Sequence, residues 1–101
     1  MDSLTLQGFS NLDPSEIKSL EEVIAKKLSK IKFKTNYEGL RVELKQHKHS
    51  KEFIHEIKAV MFLKSKRMMA QDSDKNIYKA LNNVFDKLIT ELGHLDRKQE
   101  K

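Results

Sequence analysis

The sequence contains no cysteine, only three glycines and no long apolar run. Without cysteine it has no disulfide framework, thiolate nucleophile or cysteine-based zinc site. The scattered glycines cannot form a glycine-rich phosphate loop, and no apolar stretch reaches the roughly 18 residues that a membrane helix needs. The residues after Met1 also lack the basic and apolar regions of a signal peptide. We therefore expect a cytoplasmic protein without a cofactor.

Histidine is the remaining candidate for a metal ligand. His47 and His49 would lie on the same side of a strand, but no cysteine or fixed carboxylate accompanies them. A basic hairpin therefore explains them better than a zinc site. Serine, histidine and aspartate are scattered without a catalytic motif. We expect no enzymatic activity, no metal and no small-molecule substrate.

Positive charge is in excess. The 101 residues include 20 Lys or Arg and 15 Asp or Glu, which gives a formal net charge of +5. A chain of this length corresponds to one domain, since domains have about 100 to 200 residues. The charge favours a polyanionic partner, either nucleic acid or an anionic membrane, without choosing between them.

Two segments have the apolar periodicity of amphipathic helices. Apolar residues recur every three or four positions over 17–31 and again over 77–92. An aspartate followed by proline at 13–14 predicts the start of the first helix. Residues 72–74 offer a cap for the second helix, and Gly93 is predicted to end it.

Alternating apolar and polar residues predict four strands. They lie near 4–9, 40–45, 57–63 and 67–71, with a hairpin connection at 47–51. The order β-α-β-β-β-α predicts an α+β two-layer sandwich, with both helices on one face of the sheet, as in double-stranded-RNA-binding domains. We expect a single domain over 1–93 and a flexible basic C-terminal tail over 94–101.

Lysines are concentrated on the predicted helices. Lys26, Lys27 and Lys30 are expected on the side of the first helix that faces away from its apolar stripe, and Lys87 on the equivalent part of the second. If the helices pack side by side, these lysines would form one ridge that binds phosphates. A solvated charged surface with no partner explains the same pattern.

Two short segments resemble a known family. Residues 76–88, Asn-Ile-Tyr-Lys-Ala-Leu-Asn-Asn-Val-Phe-Asp-Lys-Leu, are similar to the second helix of the ribosome hibernation-promoting factor and ribosome-associated inhibitor (RaiA/YfiA) family. Residues 25–31 are similar to its first helix, with Lys27 and Lys30 at the family's usual lysine positions. The order of helices and strands is also that of the family.

This resemblance implies a ribosome-binding translation inhibitor of the short type. Members bind the small ribosomal subunit in the channel used by messenger RNA and tRNA and hold idle ribosomes inactive. The chain departs from the family at Thr90 and Glu91, where a basic residue is usual. The positions expected to contact ribosomal RNA are Lys26, Lys27, Lys30, Lys34, Lys87, His94, Arg97 and Lys98.

Two alternatives remain open. The sheet face away from the helices is predicted to carry Val60, Phe62 and Met69. Such a face could serve a protein-interaction module or a weak homodimer. A generic double-stranded-RNA-binding domain is the other alternative, because such domains have a similar architecture.

Overall fold

The computed structural model describes residues 3–32 and 36–99, and it describes the side chains only as far as Gly93, with those of Ser3 and His49 excepted. The elements are β1 (Ser3–Gln7), α1 (Pro14–Lys32), β2 (Gly39–His49), β3 (Glu52–Phe62), β4 (Arg67–Asp74) and α2 (Ile77–Gln99). The predicted α+β class and element order are confirmed. Within the described ranges, neither helix has the apolar length that a membrane crossing requires.

The four strands form one sheet in the order β1-β2-β3-β4. β1 is parallel to β2, and the other two pairs are antiparallel. Because α1 returns the chain from the end of β1 to the start of β2, it runs antiparallel to both strands. α2 likewise follows the end of β4 and runs back along it. The C-terminal halves of both helices therefore lie toward the end of the sheet where Gly39, Phe62 and Arg67 form one row.

One face of the sheet carries the core. Alternate residues of β2 and β3, such as Val42 and Ala59, are fully buried, as strand periodicity requires. The helices cover them with fully buried side chains that include Leu20, Ile24 and Phe85. Phe9 and Tyr37, which lie outside the strands and helices, also belong to this core. The result is a two-layer domain with an open second sheet face.

Gly8 is the glycine that the fold requires. Its φ is +82°, in the left-handed region that favours glycine. A Cβ added to Gly8 would overlap the backbone carbonyl oxygen of Leu44. The chain can therefore leave β1 close against β2 only because position 8 lacks a side chain.

Both predicted ends of the second helix are wrong. β4 continues through residues 72–74, and the cap is Asn76, whose Oδ1 accepts hydrogen bonds from the backbone N–H groups of Tyr78 at 2.9 Å and Lys79 at 3.3 Å. At the other end, α2 passes through Gly93 and reaches Gln99. Gly93 does not have the positive φ of a glycine cap. The expected division between 1–93 and 94–101 thus falls inside a helix.

The predicted hairpin connection is also too long. β2 extends to His49 and β3 begins at Glu52, so only Ser50 and Lys51 connect the strands. Ser50 has a φ of 63°, which fits the tight turn of a two-residue hairpin. The basic segment is therefore mostly strand rather than loop.

Candidate nucleic-acid interface

Lys26 and Lys30 are the most available of the predicted RNA contacts. Both side chains are exposed in the C-terminal half of α1, and neither forms an ion pair within the part of the chain that the structure describes. Residues four apart lie one above the other on a helix, so both point to the same side. Their charge also complements the negative end of the helix macrodipole. These two ammonium groups are free to bind phosphate.

Lys27 does not face away from the apolar stripe as expected. Its side chain is only 18% exposed, and its Nζ lies 3.5 Å from Oδ1 of Asp86 on α2. The reason is spacing: Lys27 follows the buried Ile24 by three residues and precedes the buried Ile31 by four. Lys27 therefore lies on the core side of α1 and connects the two helices.

Lys87 contacts β4 rather than α1. Its Nζ donates a 2.7 Å hydrogen bond to the backbone carbonyl of Gln71 and lies 3.4 Å from Oδ1 of Asp72. It lines a groove of about 710 Å³ between β4 and α2, together with the exposed side chains of Lys66 and Arg67. Lys87 thus has protein partners already, and its nearest cationic companions come from β4 and the turn before it.

Asp72, which lies on β4 beside Lys87, is held in its charged form. Asn83 donates a 2.8 Å hydrogen bond to its Oδ2. That hydrogen bond, together with the nearby charge of Lys87, lowers the pKa of Asp72 below its ordinary value of 3.8, although partial burial opposes the shift. The carboxylate of Asp72 therefore remains ionised beside Lys87 at neutral pH.

The expected single ridge of ammonium groups is therefore interrupted. Carboxylates lie beside Lys27 and Lys87, whereas Lys26 and Lys30 have no carboxylate partner among the described residues. The sequence analysis overlooked Lys64, Lys66 and Arg67, which are exposed at the same end of the sheet toward which α1 runs. The dense run Lys-Ser-Lys-Arg at 64–67 was the signal for them. We call the set Lys26, Lys30, Lys64, Lys66 and Arg67 the basic end of the domain.

Four other predicted contacts cannot be placed in this surface. Lys34 lies outside the described residues. His94, Arg97 and Lys98 belong to the last turns of α2 by their backbone, but their side chains are outside the described set. Because α2 continues past Gly93, these three residues extend the helix toward the basic end.

The open sheet face is less apolar than its sequence suggested. Val60 is only 1% exposed and Phe62 is half-buried, since the guanidinium of Arg41 lies 5.8 Å from the Phe62 ring centre. Arg41 also forms a 2.9 Å ion pair with Glu43 on the same face. Met69, at 56% exposed, is a large apolar side chain left open on this face, on the edge strand β4.

Comparison with known proteins gives one family and a shared fold. Residues 9–100 match the family described as Sigma 54 modulation protein / S30EA ribosomal protein. The structure of a ribosomal subunit interface protein from Coxiella burnetii is similar, with a TM-score of 0.70 and 19% identity over 96% of this chain and 99% of that one. The N-terminal domain of Thermus thermophilus Protein Y gives a TM-score of 0.58 and 18% identity over 92% and 94%. No curated protein matches the sequence significantly.

Proposed function

We propose, because the chain belongs to the Sigma 54 modulation protein / S30EA ribosomal protein family, that it binds the small ribosomal subunit and keeps idle ribosomes inactive. The family match over residues 9–100 is the observation that carries this proposal. Family membership also confirms the resemblance drawn from residues 25–31 and 76–88. The family is one of ribosome-associated proteins rather than enzymes, and we propose a non-enzymatic, cytoplasmic factor.

The proposed mechanism is occlusion. The domain over 1–93 would occupy the channel used by messenger RNA and tRNA, held there by ammonium groups against ribosomal RNA phosphates. Such contacts release condensed counterions, so affinity falls as the salt concentration rises. Phosphate contacts position a protein on RNA without recognising the bases. They therefore suit a domain whose proposed task is to occupy one site on the ribosome.

The proposed contacts differ in whether a carboxylate already lies beside them. Lys26 and Lys30 can each neutralise a phosphate without losing a partner among the described residues. Lys27 and Lys87 must share their charge with Asp86 and Asp72, so each contributes less binding free energy. We retain Lys34, His94, Arg97 and Lys98 as proposed contacts and add Lys64, Lys66 and Arg67 from the basic end.

Charge reversal at the two free lysines tests the proposal. The variant with Lys26→Glu and Lys30→Glu should bind small subunits much more weakly, and the slope of log affinity against log salt should fall by about two. A matched control carries Lys18→Glu and Lys79→Glu, which make the same change of charge at exposed positions in the N-terminal halves of α1 and α2. Lys27 is left unchanged because a glutamate there would face Asp86.

The control should keep the wild-type affinity and salt dependence. If both double variants lose affinity equally, net charge rather than the basic end drives binding. If neither loses affinity, the assignment of Lys26 and Lys30 is wrong. Competition with an unrelated RNA duplex separates the proposal from a generic double-stranded-RNA binder, which the duplex would displace from ribosomes.

A further inference from the structure

The hairpin formed by the ends of β2 and β3 projects beyond the rest of the sheet. β1 pairs with β2 only as far as Glu43, and β4 pairs with β3 only from His55 onward. Only the pairs from His47 with Ile54 to His49 with Glu52 have no third strand beside them, and they form a two-stranded ribbon, which we call the β2–β3 arm (residues 47–54). Three strand residues correspond to about 10 Å. The arm lies at the end of the sheet opposite the basic end.

The arm presents an exposed aromatic ring. Phe53 is 55% exposed, whereas the other aromatic side chains in the described part of the chain are buried or half-buried. Phe53 lies too far along the ribbon to pack into the core, since the core residues of β3 begin at Ile57. An exposed phenylalanine away from the core is available to a partner.

Positive charge surrounds this ring. Lys48 is directly opposite Phe53 in the strand register, so both side chains lie on the same face of the ribbon. Lys51, in the turn, is also exposed. The acid that precedes Phe53 in the sequence, Glu52, is paired with Lys75 at 2.7 Å, an interaction that raises the pKa of Lys75. The acidic charge next to the ring is therefore already offset.

We infer that the β2–β3 arm binds unpaired RNA, with the ring of Phe53 stacked on a base and Lys48 and Lys51 on the adjoining phosphates. Aromatic rings flanked by lysines are the features by which proteins bind single strands without sequence preference. The inference rests on the proposed ribosome binding, because ribosomal RNA would supply the unpaired nucleotides. Contacts at both ends of the sheet would fix the orientation of the domain in its channel.

A tryptophan reporter tests stacking directly, because the chain contains no tryptophan. In the Phe53→Trp variant, indole fluorescence should be quenched by a short oligouridine and by small ribosomal subunits. Ser19→Trp is the matched control, since Ser19 is exposed on α1 and belongs neither to the arm nor to the basic end. Its fluorescence should change little. Equal quenching of both reporters, or of neither, would overturn the inference.

Affinities separate the arm from the proposed function. Phe53→Ala should weaken binding of oligouridine and of small subunits about tenfold, whereas Phe53→Tyr should stay within about twofold of wild type. If the wild type does not bind small subunits, the proposed function fails. If the wild type binds and Phe53→Ala binds equally well, only the arm is wrong. A blue shift of the Phe53→Trp emission with phosphatidylserine vesicles, without quenching by RNA, would assign the arm to an anionic membrane and overturn the inference.

Discussion

The ammonium group of Lys87 lies 2.7 Å from the carbonyl oxygen of Gln71, and it thereby binds one backbone acceptor of the edge strand β4. An edge strand presents unpaired backbone groups that can pair with another chain, and lysines commonly protect such edges. Lys87 therefore stabilises the domain whether or not it also contacts RNA. This double role distinguishes it from Lys26 and Lys30.

The first prediction follows from that hydrogen bond. Lys87→Ala should lower the free energy of unfolding by about 1 kcal/mol, because it removes a hydrogen bond to the backbone and the partner of Asp72. Lys26→Ala should change it by less than about 0.5 kcal/mol, since Lys26 has no ion-pair partner among the described residues. Urea denaturation measures both. Equal stability of the two variants would contradict the structural role of Lys87.

The second prediction concerns acid stability. The pKa of Asp72 is lowered in the folded state, chiefly by the hydrogen bond from Asn83. A lowered pKa contributes stability that is present above the unfolded value of 3.8 and is lost as the pH falls through the folded value. The stability difference between wild type and Asp72→Ala should therefore be largest near neutral pH and shrink below about pH 4.

Denaturation of both proteins between neutral and acidic pH measures this difference. The gap at neutral pH should be about 1 kcal/mol, because the carboxylate accepts charge-assisted hydrogen bonds but is partly solvated. A gap that stays constant with pH would show that the charge of Asp72 contributes nothing to stability.

The third prediction is that a substitution at Gly93 raises the stability of the protein. Within a helix, glycine is about 0.5 to 1 kcal/mol less favourable than alanine. A Cβ at position 93 would meet nothing within 4 Å. Gly93→Ala should therefore raise the melting temperature and helical circular dichroism. A loss of stability would instead indicate that the helix ends in a glycine cap there.

The fourth prediction is that a substitution at Gly8 lowers the stability of the protein. Its positive φ and its close approach to the Leu44 carbonyl leave no room for a side chain. Gly8→Ala should lower the free energy of unfolding by at least about 2 kcal/mol, through backbone strain and displacement of β1. Thermal denaturation by circular dichroism measures the change. Wild-type stability in this variant would show that β1 can separate from β2 at no cost.

The order of helices and strands was predictable because its signals are local. Asp13 and Pro14 mark the start of α1, and apolar spacing identifies both helices. The ends of α2 were not predictable in this way. Asp72 is held in β4 by pairing with Ile57, and the buried Leu92 keeps Gly93 within the helix. In both places, tertiary contacts override a local capping preference.

The candidate site was predictable only in part. Spacing from Ile24 and Ile31 already indicated that Lys27 belongs to the core side of α1, so that error was avoidable. The partners of Lys87 could not be predicted, because only the packing of α2 against β4 brings Gln71 and Asp72 close to it. Sequence identifies the cations, whereas the fold determines which of them remain unpaired.

Sedimentation with separated small and large ribosomal subunits, at low and high salt concentrations, tests the central claim most directly. We expect the protein to sediment with the small subunit, to dissociate steeply as salt rises, and to be displaced when messenger RNA and tRNA fill the channel. Binding to neither subunit, or binding to the small subunit that salt and channel ligands leave unchanged, would contradict the account.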